Sequence, residues 1–89
     1  MKEAMPPFLS LRVFEAAARS CSFARAAEEL GITAGAVSQH IRILEDFAGQ
    51  PLFRRLGRGV ELTLAGQAAF GHAGAAMAEM LQAGRAMRK

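Results

Sequence analysis

The chain has 89 residues, 52% of them hydrophobic, and its 11 Lys and Arg against 8 Asp and Glu give a formal net charge of +3. A chain of this length supports one domain with a single modest core, and its charge allows a polyanionic partner without requiring one. No apolar run reaches the ~18 residues of a membrane span, and charged residues interrupt the N-terminal apolar stretch, so neither membrane insertion nor secretion is expected.

Two amphipathic helices are predicted near the N-terminus. From Phe8 to Ser20, apolar residues recur at steps of three and four, and the stripe continues to Cys21. This single cysteine cannot form an intrachain disulfide, so we expect a small buried core group in the reducing cytoplasm. Ser22 is a suitable N-cap for a second helix, Phe23 to Leu30, and Gly31 can close that helix in the left-handed conformation.

A third helix is predicted from Ala34 to Phe47 or Ala48, with Thr33 as its N-cap. Its buried stripe consists of Val37, Ile41 and Leu44. Only Gly-Ile-Thr separates it from the second helix, and so short a turn makes the two axes cross steeply. The free face is small near its N-terminus and carries hydrogen-bonding groups further along: Ala34, Gly35, Ser38, Gln39 and Arg42. A helix with such a face can enter the major groove of DNA.

A basic β-hairpin and a long helix complete the predicted elements. Residues 52–55 and 60–62 alternate in character on either side of Leu-Gly-Arg-Gly, which indicates a two-stranded hairpin. Its Arg54, Arg55 and Arg58 lie close together, which favours phosphate or minor-groove contact over a merely solvated loop.

Thr63 is predicted to cap a last helix from Leu64 to about Met87. One side of that helix forms a heptad-like seam of apolar or small residues: Phe70, Ala73, Met77, Met80, Leu81, Gly84 and Met87. A helix of ~36 Å cannot bury its whole seam against so small a body. The seam therefore predicts a homodimer paired through this helix.

Three segments of the sequence match a family pattern: "PPFLSLRVFEAAARSCSFARAAEELGITAGAVSQHIRILED", "GQPLFRR" and "LTLAGQ". Together they resemble the N-terminal winged helix-turn-helix of LysR-type transcriptional regulators over roughly residues 6–70. The resemblance implies an all-α fold with a small β-hairpin wing. It also implies a division into a DNA-binding domain at residues 1–63 and a linker, or dimerisation, helix at residues 64–89. The effector-binding domain usual in the family is absent from these residues.

The resemblance implies a dimeric bacterial transcription regulator that binds a pseudo-palindromic operator in double-stranded DNA, with a tetramer as a further assembly of the full-length protein. The expected DNA-binding residues are Thr33, Ala34, Gly35, Ser38, Gln39, Arg42, Arg54, Arg55, Arg58, Arg25 and Ser22. Relatives commonly carry Gln or another polar residue after the capping Thr, whereas this chain has Ala34 and Gly35. We therefore expect base reading to shift toward Thr33, Ser38, Gln39 and Arg42 or toward DNA shape.

Two other classes of function are considered. A protein-interaction module built on the same scaffold would place the basic hairpin on an acidic protein surface, but such a face more often exposes aromatic or leucine side chains. An enzyme is disfavoured because no carboxylate pair, nucleophile with its base, phosphate loop or metal cluster emerges; His40, for example, does not face Ser38. We expect no catalysis, cofactor, metal or small-molecule ligand in these residues.

Overall fold

The computed structural model describes residues 3–88, which form four helices and one two-stranded antiparallel hairpin. In chain order these are α1 (Phe8–Ser20), α2 (Phe23–Leu30), α3 (Ala34–Ala48), β1 (Phe53–Arg55), β2 (Val60–Leu62) and α4 (Leu64–Met87). The predicted helices are all confirmed, and α3 ends at Ala48. The hairpin is confirmed as well, although its first strand begins at Phe53 and not at Leu52.

Capping side chains fix where α2, α3 and α4 begin. The hydroxyl oxygens of Ser22, Thr33 and Thr63 accept hydrogen bonds from the backbone N–H groups of Arg25, Ala36 and Gly66 at 3.1, 3.0 and 3.1 Å. Each bond satisfies an amide that has no partner inside its own helix. Gly31 and Gly49 end α2 and α3 at φ values of 69° and 75°, which glycine adopts without steric cost.

The core is centred on α1, which packs against α2, α3 and α4. Val13, Phe14 and Ala17 of α1 are fully buried. The predicted stripe of α3 is confirmed, because its members Val37, Ile41 and Leu44 are all buried. The hairpin extends this core through Phe53, whose ring centroid lies 5.5 Å from that of Phe14. One contiguous apolar cluster therefore links the helices to the hairpin.

The tip of the hairpin is fixed to the turn between α1 and α2. The backbone N–H of Val60 donates to the carbonyl oxygen of Cys21 at 3.1 Å. Beside it, Gly59 has a φ of 70°, and an added Cβ would lie 2.5 Å from the same oxygen. A side chain at Gly59 would therefore separate the hairpin from the helices.

Two residues of the predicted stripes lie elsewhere than expected. The prediction that Cys21 is a buried core group is wrong: α1 ends at Ser20, and Cys21 is exposed in a left-handed conformation with a φ of 55°. The helical periodicity therefore stops one step before the cysteine. Ala73, assigned from its spacing to the dimer seam, is 1% exposed within the single chain and belongs to the protomer's own core. It has no surface left to offer to a partner.

Candidate nucleic-acid interface

The free side of α3 presents a small, uncharged beginning followed by polar and basic side chains. Ala34, Gly35, Gln39 and Arg42 are exposed, and Ser38 is half-buried. We call these five residues the reading face. Arg42 takes part in none of the ion pairs formed within residues 3–88, so its guanidinium is available to an outside acceptor. The opposite side of α3 is buried, which fixes the reading face outward.

Gly35 keeps the leading end of the reading face narrow. A Cβ added there would find only the Thr33 hydroxyl oxygen, at 3.8 Å, so no contact inside the protein requires glycine. A glycine inside a helix costs up to ~1 kcal/mol relative to alanine. Gly35 therefore weakens the helix without improving the packing inside the protein. The missing side chain changes only the outer surface of α3.

The hairpin carries its arginines in three different surroundings. Arg54 forms an exposed ion pair with Glu61, whose carboxylate oxygen lies 3.1 Å from the Arg54 Nε. The guanidinium of Arg55 lies 5.2 Å from the centroid of the Phe23 ring, a cation–π contact. Arg58, in the turn between the strands, forms no ion pair within residues 3–88. Its positive charge is therefore the least compensated of the three.

The start of α2 lies beside the hairpin. Ser22 and Phe23 line one shallow cleft together with Arg55 and Gly57. The Ser22 hydroxyl caps α2, and the side chain of Arg25 is exposed. A helix N-terminus carries partial positive charge, so the cleft combines this charge with that of the arginine and suits an anionic ligand such as a phosphate.

Two residues that hold α3 in place are absent from the sequence predictions. The Nδ1 of His40 lies 3.0 Å from the Ser10 hydroxyl oxygen of α1. The carboxylate of Glu45 accepts a hydrogen bond from the Leu52 backbone N–H at 2.8 Å. The partner of His40 is far away in the chain, so no local spacing could reveal the contact. The only signal was a polar side chain next to the buried stripe of α3.

The second half of α4 exposes a row of apolar side chains. Met80, Leu81 and Met87 are 46%, 58% and 82% exposed, whereas Phe70 packs against the core. Met77 and Gly84 are half-buried. Together with Phe8 and Leu30, the side chains of Met77, Met80 and Leu81 line an open groove between α1, α2 and α4. The chain itself covers only part of the predicted seam.

An ion-pair cluster joins α1 to α2 at the edge of that groove. Arg19 binds the carboxylates of Glu15 and Glu29 at 2.9 and 2.6 Å. The hydrogen bond from Arg19 lowers the pKa of Glu29, and the hydrogen bond to Glu29, with a smaller one to Glu15, raises the pKa of Arg19.

Residues 3–88 contain neither a membrane-spanning helix nor a cluster of metal-binding side chains. None of their helices combines the length and the apolar character needed to cross a membrane. Their His, Cys, Asp and Glu side chains form no group of three that could hold a metal ion.

Comparisons with known proteins identify the family. A family model described as "Bacterial regulatory helix-turn-helix protein, lysR family" matches residues 8–67. The chain belongs to the lysR family. The glycine cleavage system transcriptional activator of Escherichia coli strain K12 is 56% identical over 70 residues, which cover 79% of this chain and 23% of the relative. This lysR-family chain thus spans about a quarter of that relative's length.

Solved structures of similar fold agree with this membership. A complex of the CbnR DBD with DNA superimposes with a TM-score of 0.79 at 30% identity, covering 89% of this chain and 91% of that chain. The oxidized form of Corynebacterium glutamicum OxyR gives a TM-score of 0.89 at 28% identity, covering 99% of this chain and 28% of that chain. The fold is therefore the winged helix-turn-helix of the lysR family, with α2 and α3 as the helix-turn-helix and the hairpin as the wing.

Proposed function

We propose that this chain is the DNA-binding domain of a dimeric bacterial transcription regulator and binds double-stranded DNA sequence-specifically. The observation that carries the proposal is the reading face of α3, which holds no carboxylate and ends in Arg42, a residue without an ion pair among residues 3–88. Such a face fits the major groove, where base edges present both donors and acceptors. The similarity to a CbnR DBD in complex with DNA supports the same function here.

Different parts of the surface are proposed to do different work. The wing arginines and the start of α2 with Ser22 and Arg25 contact the phosphate backbone or the adjacent minor groove, which positions the protein without reading sequence. Gln39 and Arg42 read base edges, because their side chains have the length and the donors that this contact needs. Thr33 combines its cap with a phosphate contact at the beginning of α3.

A dimer is proposed because the open part of the α4 seam needs a cover. Met77, Met80, Leu81, Gly84 and Met87 are the residues of this part that we assign to the interface, with Phe70 at its inner end. A twofold pair would place two copies of α3 on two half-sites of a pseudo-palindromic operator. We also propose that the DNA-binding domain ends at residue 63 and the linker helix follows it. The chain is proposed to catalyse no reaction and to act in the cytoplasm on the nucleoid.

Selection of bound duplexes from a random DNA library at physiological salt tests the proposal directly. We expect the retained pool to be enriched in a twofold-symmetric motif, which would also supply the half-site. A retained pool identical to the input would overturn sequence-specific reading. Failure to retain any duplex would overturn DNA binding and favour a protein-docking role for the basic wing.

Two substitutions separate the roles of wing and helix. Arg58→Ala should weaken binding to every duplex and lower the slope of log K against log salt by about one, the effect of one lost phosphate contact. Gln39→Ala should instead cost ~1–3 kcal/mol only at particular base pairs and leave the salt slope unchanged. If both variants bound all duplexes like the parent chain, the proposed docking would be wrong.

A further inference from the structure

One side-chain hydrogen bond ties α3 to α1. It joins the Ser10 hydroxyl to Nδ1 of His40 at 3.0 Å, and Ser10 is only 2% exposed. Within residues 3–88 this hydroxyl has no other hydrogen-bond partner. We assign Ser10 as the donor and Nδ1 as the acceptor, because a buried hydroxyl proton without an acceptor is strongly unfavourable. The ring of His40 is thereby held in one orientation on the flank of α3.

A second polar contact holds α3 from another direction. One carboxylate oxygen of Glu45 accepts hydrogen bonds from the backbone N–H groups of Leu52 and Phe53, at 2.8 and 3.4 Å. Both of these residues are buried where the wing begins. His40 and Glu45 lie about 140° apart around the helix axis, from the 3.6-residue turn. The two contacts therefore hold α3 on two different sides: His40 toward α1, and Glu45 toward the wing.

The remaining contacts of α3 do not fix its rotation as tightly. Val37, Ile41 and Leu44 bury apolar surface, and this stabilisation is not directional. A rotation of about 20° moves an atom ~6 Å from the helix axis by ~2 Å. A hydrogen bond tolerates only about 0.5 Å of variation in length. A rotation of this size would therefore break contacts from Gln39 or Arg42 to base edges, and the two directional contacts oppose it in addition to the close packing of the core.

We propose that His40 and Glu45 are positioning residues that set the base preference of α3 without touching DNA. Gln39 lies one residue before His40 and Arg42 two residues after it on the same helix. A contact that fixes the rotation of the helix at His40 therefore also fixes the orientation of the reading face. This inference rests on the proposed function, because it requires that Gln39 and Arg42 contact base edges. The role of His40 and Glu45 is to fix the orientation of those two side chains. It predicts a loss of discrimination and not a general loss of affinity.

The test compares dissociation constants of the 89-residue chain for two duplexes: the motif retained in the selection, and the same duplex with its half-sites scrambled. The dissociation constant for the scrambled duplex divided by that for the motif measures discrimination. His40→Leu should lower this ratio by about fivefold or more, the effect of one lost base contact. Its affinity for the scrambled duplex and its salt slope should stay unchanged, because the wing arginines are untouched. His40→Asn, whose amide oxygen can accept from Ser10, should restore most of the ratio.

Two controls keep the outcome decisive. His72→Leu makes the same substitution at an exposed position of α4 and should leave the ratio unchanged. The double variant Ser10→Ala with His40→Leu removes both polar partners, so it leaves no buried hydroxyl unsatisfied and should fold. It should discriminate as poorly as His40→Leu.

Glu45 is tested in the same assay. Glu45→Ala should lower the ratio, and Glu45→Gln, which keeps an acceptor oxygen, should restore it. An unchanged ratio in the double variant, or equal losses of affinity for both duplexes, would overturn the positioning role. A parent chain that does not distinguish the two duplexes would instead overturn the proposed function, and the inference with it.

Discussion

The two halves of α4 differ in what covers them, although both are rich in alanine. In the first half, Gly66 and Ala73 are buried by the rest of the chain. In the second half, the large apolar side chains of Met80, Leu81 and Met87 are exposed. A continuous seam in the sequence is thus divided in space between an internal and an external surface. The difference shows that helical spacing reveals an apolar face without revealing which molecule buries it.

The glycines of α4 also differ in their surroundings, already within its first half. A Cβ at Gly66 would collide with the Leu52 carbonyl oxygen and approach the Leu62 side chain to 2.8 Å. At Gly71, Gly74 and Gly84 an added Cβ meets nothing within 4 Å. Only the first of these glycines is needed for a close approach inside the protomer.

The largest expected effect concerns the open half. Leu81→Glu should raise the dimer dissociation constant by about 100-fold or more, because a twofold interface loses two buried leucines, each contributing about 1.5–3 kcal/mol. Sedimentation equilibrium of the free protein measures this change. Gln82→Glu adds the same charge beside the seam and should leave the constant nearly unchanged. Equal dissociation constants for Leu81→Glu and the parent would remove Leu81 from the interface.

The next effect concerns the covered half. Gly66→Ala should lower the free energy of unfolding by about 1–3 kcal/mol, because the methyl group has no space beside the Leu52 backbone. Gly71→Ala is its matched control on the same helix and should raise the same free energy by up to ~1 kcal/mol. Urea denaturation measures both. Effects of the same sign would contradict the contrast between the enclosed Gly66 and the open Gly71.

The smallest effect lies at the edge of the groove beside the open half. Because the folded pKa of Glu29 is lowered by Arg19, its contribution to stability is present above the ordinary Glu pKa of about 4.3 and is lost as the pH falls through the folded value. Both side chains are nearly half exposed, so solvent screening limits this contribution to a few tenths of a kcal/mol. When the free energy of unfolding is measured against pH, Arg19→Ala should reduce its decrease at acid pH by that amount.

Arg25→Ala is the control for this pH dependence, since Arg25 forms no ion pair within residues 3–88. It should leave the decrease at acid pH unchanged. If a second copy covers the groove, the difference between the two variants should grow with protein concentration, because the covered ion pair is less screened. A larger decrease at acid pH in Arg19→Ala would contradict the assignment.

Local chemistry made much of the fold predictable. Caps at Ser22, Thr33 and Thr63 and closing glycines mark the helix ends, and the stripe of α3 marks its buried side. These features act within a few residues, so the sequence reports them directly. Cys21 escaped prediction because the backbone leaves the helix just before it, which periodicity cannot register.

The site was predictable to a smaller extent. The reading face follows from the stripe on the other side of α3, since residues that are not buried face outward. The different surroundings of the wing arginines follow only in part, because Glu61 faces Arg54 within the hairpin, whereas Phe23 reaches Arg55 only through the tertiary fold. Contacts of His40 and Glu45 are of the same kind. The partner of His40 is hard to find because Ser10 is 30 residues away, and that of Glu45 because it depends on how the chain turns after α3.

The contact between Val60 and Cys21 bears on the order in which the protein assembles. The packing of α1 with α2 closes a short loop, whereas docking of the wing on the turn after α1 closes a long one at a higher entropic cost. We therefore expect the wing to dock after α2 has packed on α1, and to open more readily than that helix pair. Opening of this kind is local and costs less than global unfolding. Arg58 thus lies on the element best able to follow differences in backbone path between one operator and another, while the helices stay rigid.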